Sequence, residues 1–127
     1  RVAVHSVILP SNYKLISDMV DLVFSLKIPM IKFSYVVPVG RASGIYEQEP
    51  HPSMTETLPY LFAAVDQFIS LYHNTPMTSI AIGYIPMCLL KGYESFSDEL
   101  SAPPTYFMDD DCELELAEEK IIAHRER

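Results

Sequence analysis

Cysteine occurs only twice in the 127 residues, at Cys88 and Cys112. Two thiols are too few for a dense disulfide framework or for a complete metal-ligand set, and they fit a reducing, cytoplasmic setting. No apolar run approaches the length of a membrane span, and no basic segment followed by an apolar one opens the chain, so neither a span nor a secretory leader is expected. A start at Arg1 rather than Met reads as a soluble domain excised from something longer. Lysine and arginine total only 9. They form no cluster able to neutralise phosphates, which removes nucleic acid from the expected partners. Internal repeats and low-complexity tracts are lacking as well.

What is present is a globular composition, 49% apolar, of a length suited to one domain with a real core. The net charge of −8 is unevenly placed. Residues 1–92 balance six acids against six bases, whereas residues 93–127 set eleven acids against Lys120, Arg125 and Arg127.

Val2 to Leu9 is β-branched and largely apolar without strict alternation, the pattern of a strand covered on both faces, as in a parallel sheet. Pro10 ends it. Ser11 or Asn12 can cap a helix whose apolar positions Ile16, Met19, Val20, Val23 and Phe24 form one stripe. Pro29 closes that link. Ile31, Phe33, Tyr35 and Val37 then alternate with Lys32, Ser34 and Val36 in a second strand, completing a βαβ unit expected to be parallel and right-handed. Residues 38–53 read as a loop long enough to have a role beyond connection. Leu58, Leu61, Phe62, Val65, Phe68, Ile69 and Tyr72 have helical spacing, with Glu56 or Thr57 near the start and Pro59 tolerable only in the first turn. Thr78 to Ile85 is a third strand stopped by Pro86. The order β-α-β-loop-α-β is that of an α/β fold. Beyond Lys91 the chain is turn-like and acidic, with a short helix expected within 112–124.

Candidate chemistry is sparse. In the turn after the second strand, Gly40 lets main chain approach a ligand and Arg41 offers a forked cation for a carboxylate or phosphate, at the strand end where α/β sheets bind ligands. From those residues alone the favoured reading is a tight turn with a surface arginine. Cys88 alone reads as a small apolar residue and Cys112 as structural. Asp109 to Asp111 lack the spacing of a calcium loop. His5, His51, His73 and His124 form no i, i+4 pair, so no zinc site is expected.

The strand running into Pro38-Val39-Gly40-Arg41-Ala42, together with Val2 to Val37 before it, resembles the C-terminal half of the barrel of radical S-adenosylmethionine (SAM) enzymes. Ile85-Pro86-Met87-Cys88-Leu89-Leu90-Lys91-Gly92-Tyr93-Glu94 is similar to the start of a SPASM or twitch extension holding an auxiliary iron–sulfur cluster. The resemblance implies a partial (β/α)6 barrel over residues 1–92, with residues 93–127 leading toward the auxiliary domain. It implies main-chain contacts to the adenine of S-adenosylmethionine from Tyr35, Val36 and Val37, with Asn12 lining the cavity, and Cys88 as the first ligand of a [4Fe–4S] cluster. A parent enzyme would make a 5′-deoxyadenosyl radical to modify a small-molecule or peptide substrate. The C-x-x-x-C-x-x-C loop that starts this chemistry is absent, so the chain alone has no catalytic residue and needs the rest of its barrel as partner. The alternative from another class is a stand-alone α/β binding module whose acidic tail meets a basic partner. A barrel fragment should self-associate through its uncovered strand edge, whereas a module should be monomeric.

Overall fold

The computed structural model describes residues 2–37, 39, 50–73, 78–101, 106–108 and 114–116. Three strands, β1 (Ala3–Ile8), β2 (Met30–Tyr35) and β3 (Ser79–Gly83), form a parallel sheet in the order β1-β2-β3. Helix α1 (Ile16–Ser25) joins the first two strands, and α2 (Met54–Tyr72) lies between the second and third. Each crossover advances one position in the same direction. Right-handed crossovers of that kind place both helices on one face, and α1 and α2 pack against each other there.

The core follows from strand alternation. Ile8, Ile31, Phe33, Tyr35, Ile80 and Ile82 point to the helices, where they meet Ile16, Val20 and Val23 of α1 and Leu61, Ala64, Val65 and Phe68 of α2. The helices are joined by Phe24 edge-on to Tyr72, Tyr13 edge-on to Tyr60, and Gln67 donating to Asp21. Tyr72 is half of a second link, its hydroxyl donating to the carbonyl of Ile28 at 3.0 Å.

The helix ends depart from expectation. Asn12 does not cap α1. A 3₁₀ turn (Tyr13–Leu15) precedes the helix, and the Asn12 side chain reaches back to β1, accepting from the Leu9 N–H and donating to the Val7 carbonyl. These bonds secure the chain where it leaves the ladder just before Pro10. The α1 C-terminus closes with Lys27 at φ 55° and the Ile28 N–H bonded to the Val23 carbonyl, a left-handed stop made without glycine. Helix α2 starts at Met54, with Glu56 and Thr57 near its start as expected but earlier than a first-turn Pro59 requires, and Ser53 is its cap: Ser53 Oγ accepts from the Glu56 N–H, and the Glu56 carboxylate accepts from the Ser53 N–H at 2.7 Å. Pro59 therefore falls in the second turn. It is tolerated on the exposed side, where water can satisfy the carbonyl that loses its donor.

Two strand expectations also change. Among the described residues β1 is covered on one face only, since α1 and α2 lie on the same side and leave Ala3, His5 and Val7 exposed. β3 ends at Gly83, before Pro86, because Tyr84 turns the backbone to φ 59°. After β3 the chain returns along its outer edge. A 3₁₀ turn (Met87–Leu89) and another (Glu94–Phe96) lead to Ser97, which bridges in parallel to Ile82, and to a single helical turn, α3 (Asp98–Ser101). Tyr93 anchors this return by stacking on Phe62 at 4.2 Å and donating to both Asp66 carboxylate oxygens at 3.0 Å. In the tail, residues 114–116 are not helical: β5 (Leu114–Leu116) pairs antiparallel with β4 (Tyr106–Met108). The rest of the acidic segment from 109 onward lies outside the described residues, as does Cys112.

The cap makes a measurable prediction. Hydrogen bonds from Ser53 hold the Glu56 carboxyl below its ordinary value of 4.5. With the folded value depressed, its contribution is complete above the unfolded value and is lost as pH falls through the folded one. Replacing Ser53→Ala should cost about 1 kcal/mol in urea unfolding at neutral pH. Glu56→Gln should make the acid limb of the stability profile below pH 4.5 shallower.

Candidate functional site

Because one face of the sheet carries the helices, alternate residues of every strand form the opposite face. Register places Ala3, His5 and Val7 beside Met30, Lys32 and Ser34, and these beside Ser79, Ala81 and Gly83. This face is small and polar at its centre. Ser34 Oγ and His5 Nε2 are 2.8 Å apart, and Lys32 Nζ is 2.6 Å from Asp98 Oδ2. Asp98 arrives from α3, which the Ser97–Ile82 bridge holds against β3.

Gly83 is what allows these groups to converge. A side chain there would begin 2.7 Å from Ser34 Oγ, 2.9 Å from Asp98 Oδ2 and 3.0 Å from Lys32 Cε. The hydroxyl, the carboxylate and the lysine stem thus crowd one hollow above the glycine. Ser34 is almost wholly buried, whereas His5 is exposed and the Lys32 and Asp98 side chains are about one-third and one-fifth exposed. A hydroxyl so buried is poorly placed to attack a substrate, despite its histidine partner. The cluster is suited to holding and orienting a polar ligand, with His5 as its accessible end and Lys32 as its cation.

A cleft of about 590 Å³ opens at the C-terminal end of β1, between the turn Pro10–Ser11 with Tyr13 to Leu15 and the segment Pro50–Pro52 with Glu56. Tyr35 fixes one side of this region by donating its hydroxyl to the Pro52 carbonyl at 2.6 Å.

The residues singled out from sequence are distributed unevenly around these features. Tyr35 ends β2 with its ring buried on the helix side, so only its main chain is directed elsewhere. Val36 is half-buried and Val37 exposed, both past the last paired residue, and the Val37 carbonyl accepts from the Val39 N–H. Asn12 lies between two cleft residues but is engaged with the β1 backbone. Gly40 and Arg41 lie outside the described residues. Cys88 is an exposed free thiol in the turn after β3. Among the described residues, no three of His, Cys, Asp and Glu converge to hold a metal ion.

Sequence reasoning missed the His5, Ser34, Lys32 and Asp98 cluster. Its signal was the alternation itself: Lys32 and Ser34 stand between Ile31, Phe33 and Tyr35, and His5 between Val4 and Ser6. Comparisons with protein-family models, curated proteins and solved structures find no match for this chain.

Gly83→Ala should push Ser34 and Asp98 apart and cost about 1–3 kcal/mol by overpacking. Urea unfolding reads the cost, and the imidazole NMR signals of His5 should shift with it. Unchanged stability and an unchanged His5 spectrum would show that the hollow is not tightly filled.

Proposed function

We propose that this chain is one wall of a radical SAM (β/α) barrel and that its sheet face opposite α1 and α2 lines the cavity of that barrel. The observation that carries the reading is the winding of the sheet: three consecutive parallel strands in sequential order, with α1 and α2 together on one side and a polar face on the other. One half of a doubly wound sheet is wound the same way, because its strand order reverses only beyond the third strand, and it is the sequence resemblance that favours a barrel. A barrel advances in one direction and keeps its helices outside. The phrases Pro38 to Ala42 and Ile85 to Glu94 add the resemblance to this enzyme class.

The two groups that the reading brings with it fit differently. Main-chain atoms at Val36 and Val37, just beyond the β2 ladder, suit the edge of an adenine ring, and His5 and Lys32 on the adjoining face suit its polar substituents or the substrate. When bound, S-adenosylmethionine supplies the radical chemistry that removes hydrogen from a small-molecule or peptide substrate. Within this chain the roles are those of a wall: Ser34 and the Lys32–Asp98 pair orient, Gly83 leaves room, and the helix layer excludes water from behind. A [4Fe–4S] cluster does not fit the donor set, since two cysteines cannot supply its ligands. Cys88 is proposed only as one ligand of an auxiliary cluster completed by other segments of the parent polypeptide.

Anaerobic reconstitution of the parent polypeptide with iron and sulfide, beside the 127-residue chain, tests this reading by electron paramagnetic resonance. A cluster signal in the parent that shifts on adding S-adenosylmethionine, with none in the shorter chain, is the expected outcome. A parent that binds no cluster, or whose signal ignores S-adenosylmethionine, would overturn it.

A further inference from the structure

We infer that Lys32, Ser34 and His5 form a carboxylate-binding subsite that Asp98 occupies in cis, and that the ligand of this face displaces Asp98 with a carboxylate of its own. This deepens the proposed role of the face as a substrate wall, and rests on that role only for the ligand's being a substrate.

The charge of this face is unlike that of the chain. The strand residues directed away from α1 and α2, from Ala3 across to Gly83, include the basic Lys32 and His5 and no acid, although the whole chain carries a net charge of −8. The carboxylate beside them comes from outside the ladder, on the segment that returns after β3.

Asp98 shows what the subsite takes. Its Oδ2 is 2.6 Å from Lys32 Nζ and 2.9 Å from the point where a Gly83 side chain would begin, and Ser34 Oγ is 2.7 Å from that same point. A carboxylate oxygen therefore shares the hollow with an ammonium group and a hydroxyl that is only 2% exposed. Among the described residues, however, no hydrogen bond joins Asp98 to Ser34, whose partner is His5 Nε2 at 2.8 Å. When the Nε2–H donates to Ser34 Oγ, the hydroxyl proton is left to donate to an anion, and the two bonds reinforce each other. Asp98, tied to the α3 backbone, stops short of that donor. A carboxylate on a free ligand is not so tied and takes both the Lys32 ammonium and the Ser34 hydroxyl.

The occupant is also held in a way that lets it leave. α3 is a single turn with Glu99 and Leu100 exposed, and it hangs from Ser97, which its bridge to Ile82 keeps in place. The Lys32 and Asp98 side chains are about one-third and one-fifth exposed, and ion pairs that water reaches are weakly stabilising. Exchange thus replaces one carboxylate by another, adds the Ser34 bond and frees one helical turn. A planar carboxylate fits the space that Asp98 vacates above Gly83, whereas a tetrahedral phosphate would crowd Ser34 and the Lys32 stem.

Acetate, the Asp98 side chain without its backbone, is the probe. It is titrated into the 127-residue chain, into Asp98→Asn and into Lys32→Met, with sodium chloride at equal ionic strength as the control. The His5 imidazole NMR signals and hydrogen exchange of the amides of residues 98–101 are the readouts. In Asp98→Asn, acetate should shift the His5 signals saturably and bind on the order of tenfold more tightly than in the unaltered chain, where it competes with a tethered carboxylate. In the unaltered chain, acetate but not chloride should speed exchange at residues 98–101, a result that stands even where a substitution impairs folding. Lys32→Met should lose both responses. Equal acetate affinity with and without Asp98, a response matched by chloride, or one that survives Lys32→Met would overturn the inference. Phosphate binding more tightly than acetate would overturn the assignment to carboxylates. Tighter binding by acetate or by N-acetylaspartate amide names a free acid or an acidic peptide as the source, and either upholds the subsite. None of these readouts uses iron or S-adenosylmethionine, so acetate binding beside a parent polypeptide that ignores S-adenosylmethionine would keep the subsite and remove the radical SAM reading alone.

Discussion

Burial of one side of β2 beneath two helices is the constraint on which the rest of the molecule depends. Ile31 and Phe33 are fully buried and Tyr35 nearly so, all from the central strand and all on the helix side. Truncating a buried aromatic such as Phe33 typically costs about 3–5 kcal/mol, comparable to the whole stability of many domains. The register of β1 and β3 on β2, the placement of α1 and α2, and the tethering of Tyr72 and Tyr93 all serve to enclose this layer.

The same alternation produces the polar face. Once Ile31, Phe33 and Tyr35 are committed to the helices, Lys32 and Ser34 must point the other way, and the parallel register brings His5 and Gly83 alongside them. The site is thus a geometric consequence of the core. Asp98 is the exception, since it belongs to the segment that returns after β3 and is held there by Ser97 rather than by the ladder. Chemistry and architecture meet at Gly83, whose missing side chain lets a buried hydroxyl and an ion pair share one hollow.

Much of this was readable from sequence, for physical reasons that differ by element. The α/β order came from periodicity: the 3.6-residue spacing of Leu61, Val65, Phe68 and Tyr72 and the alternation of Ile31, Phe33 and Tyr35. Caps were less legible, because Asn12 and Ser53 are both good cap residues and only tertiary context decides which one serves a helix. The apolar Val7 and Leu9 make β1 look covered on both faces, yet both are exposed. No local pattern states which strand edge or face a neighbouring unit will cover. The polar cluster was hidden for a related reason, as His5 and Ser34 are 29 residues apart and meet only through strand register. Residues 114–116 form a strand where a helix is expected, because a charged, apolar-alternating tract such as Glu113 to Leu116 carries no decisive period.

The central claim is that the sheet face opposite α1 and α2 lines an enclosed cavity, and thiol labelling of that face tests it most directly. In a parent polypeptide carrying Ala81→Cys and Cys88→Ser, the account predicts that a small maleimide reacts with the new thiol under native conditions while a polyethylene-glycol maleimide is excluded. Reaction with neither reagent until the protein unfolds would mean that the face is packed beneath another layer. Equal reaction with both would mean that it is open surface, and either result would contradict the account.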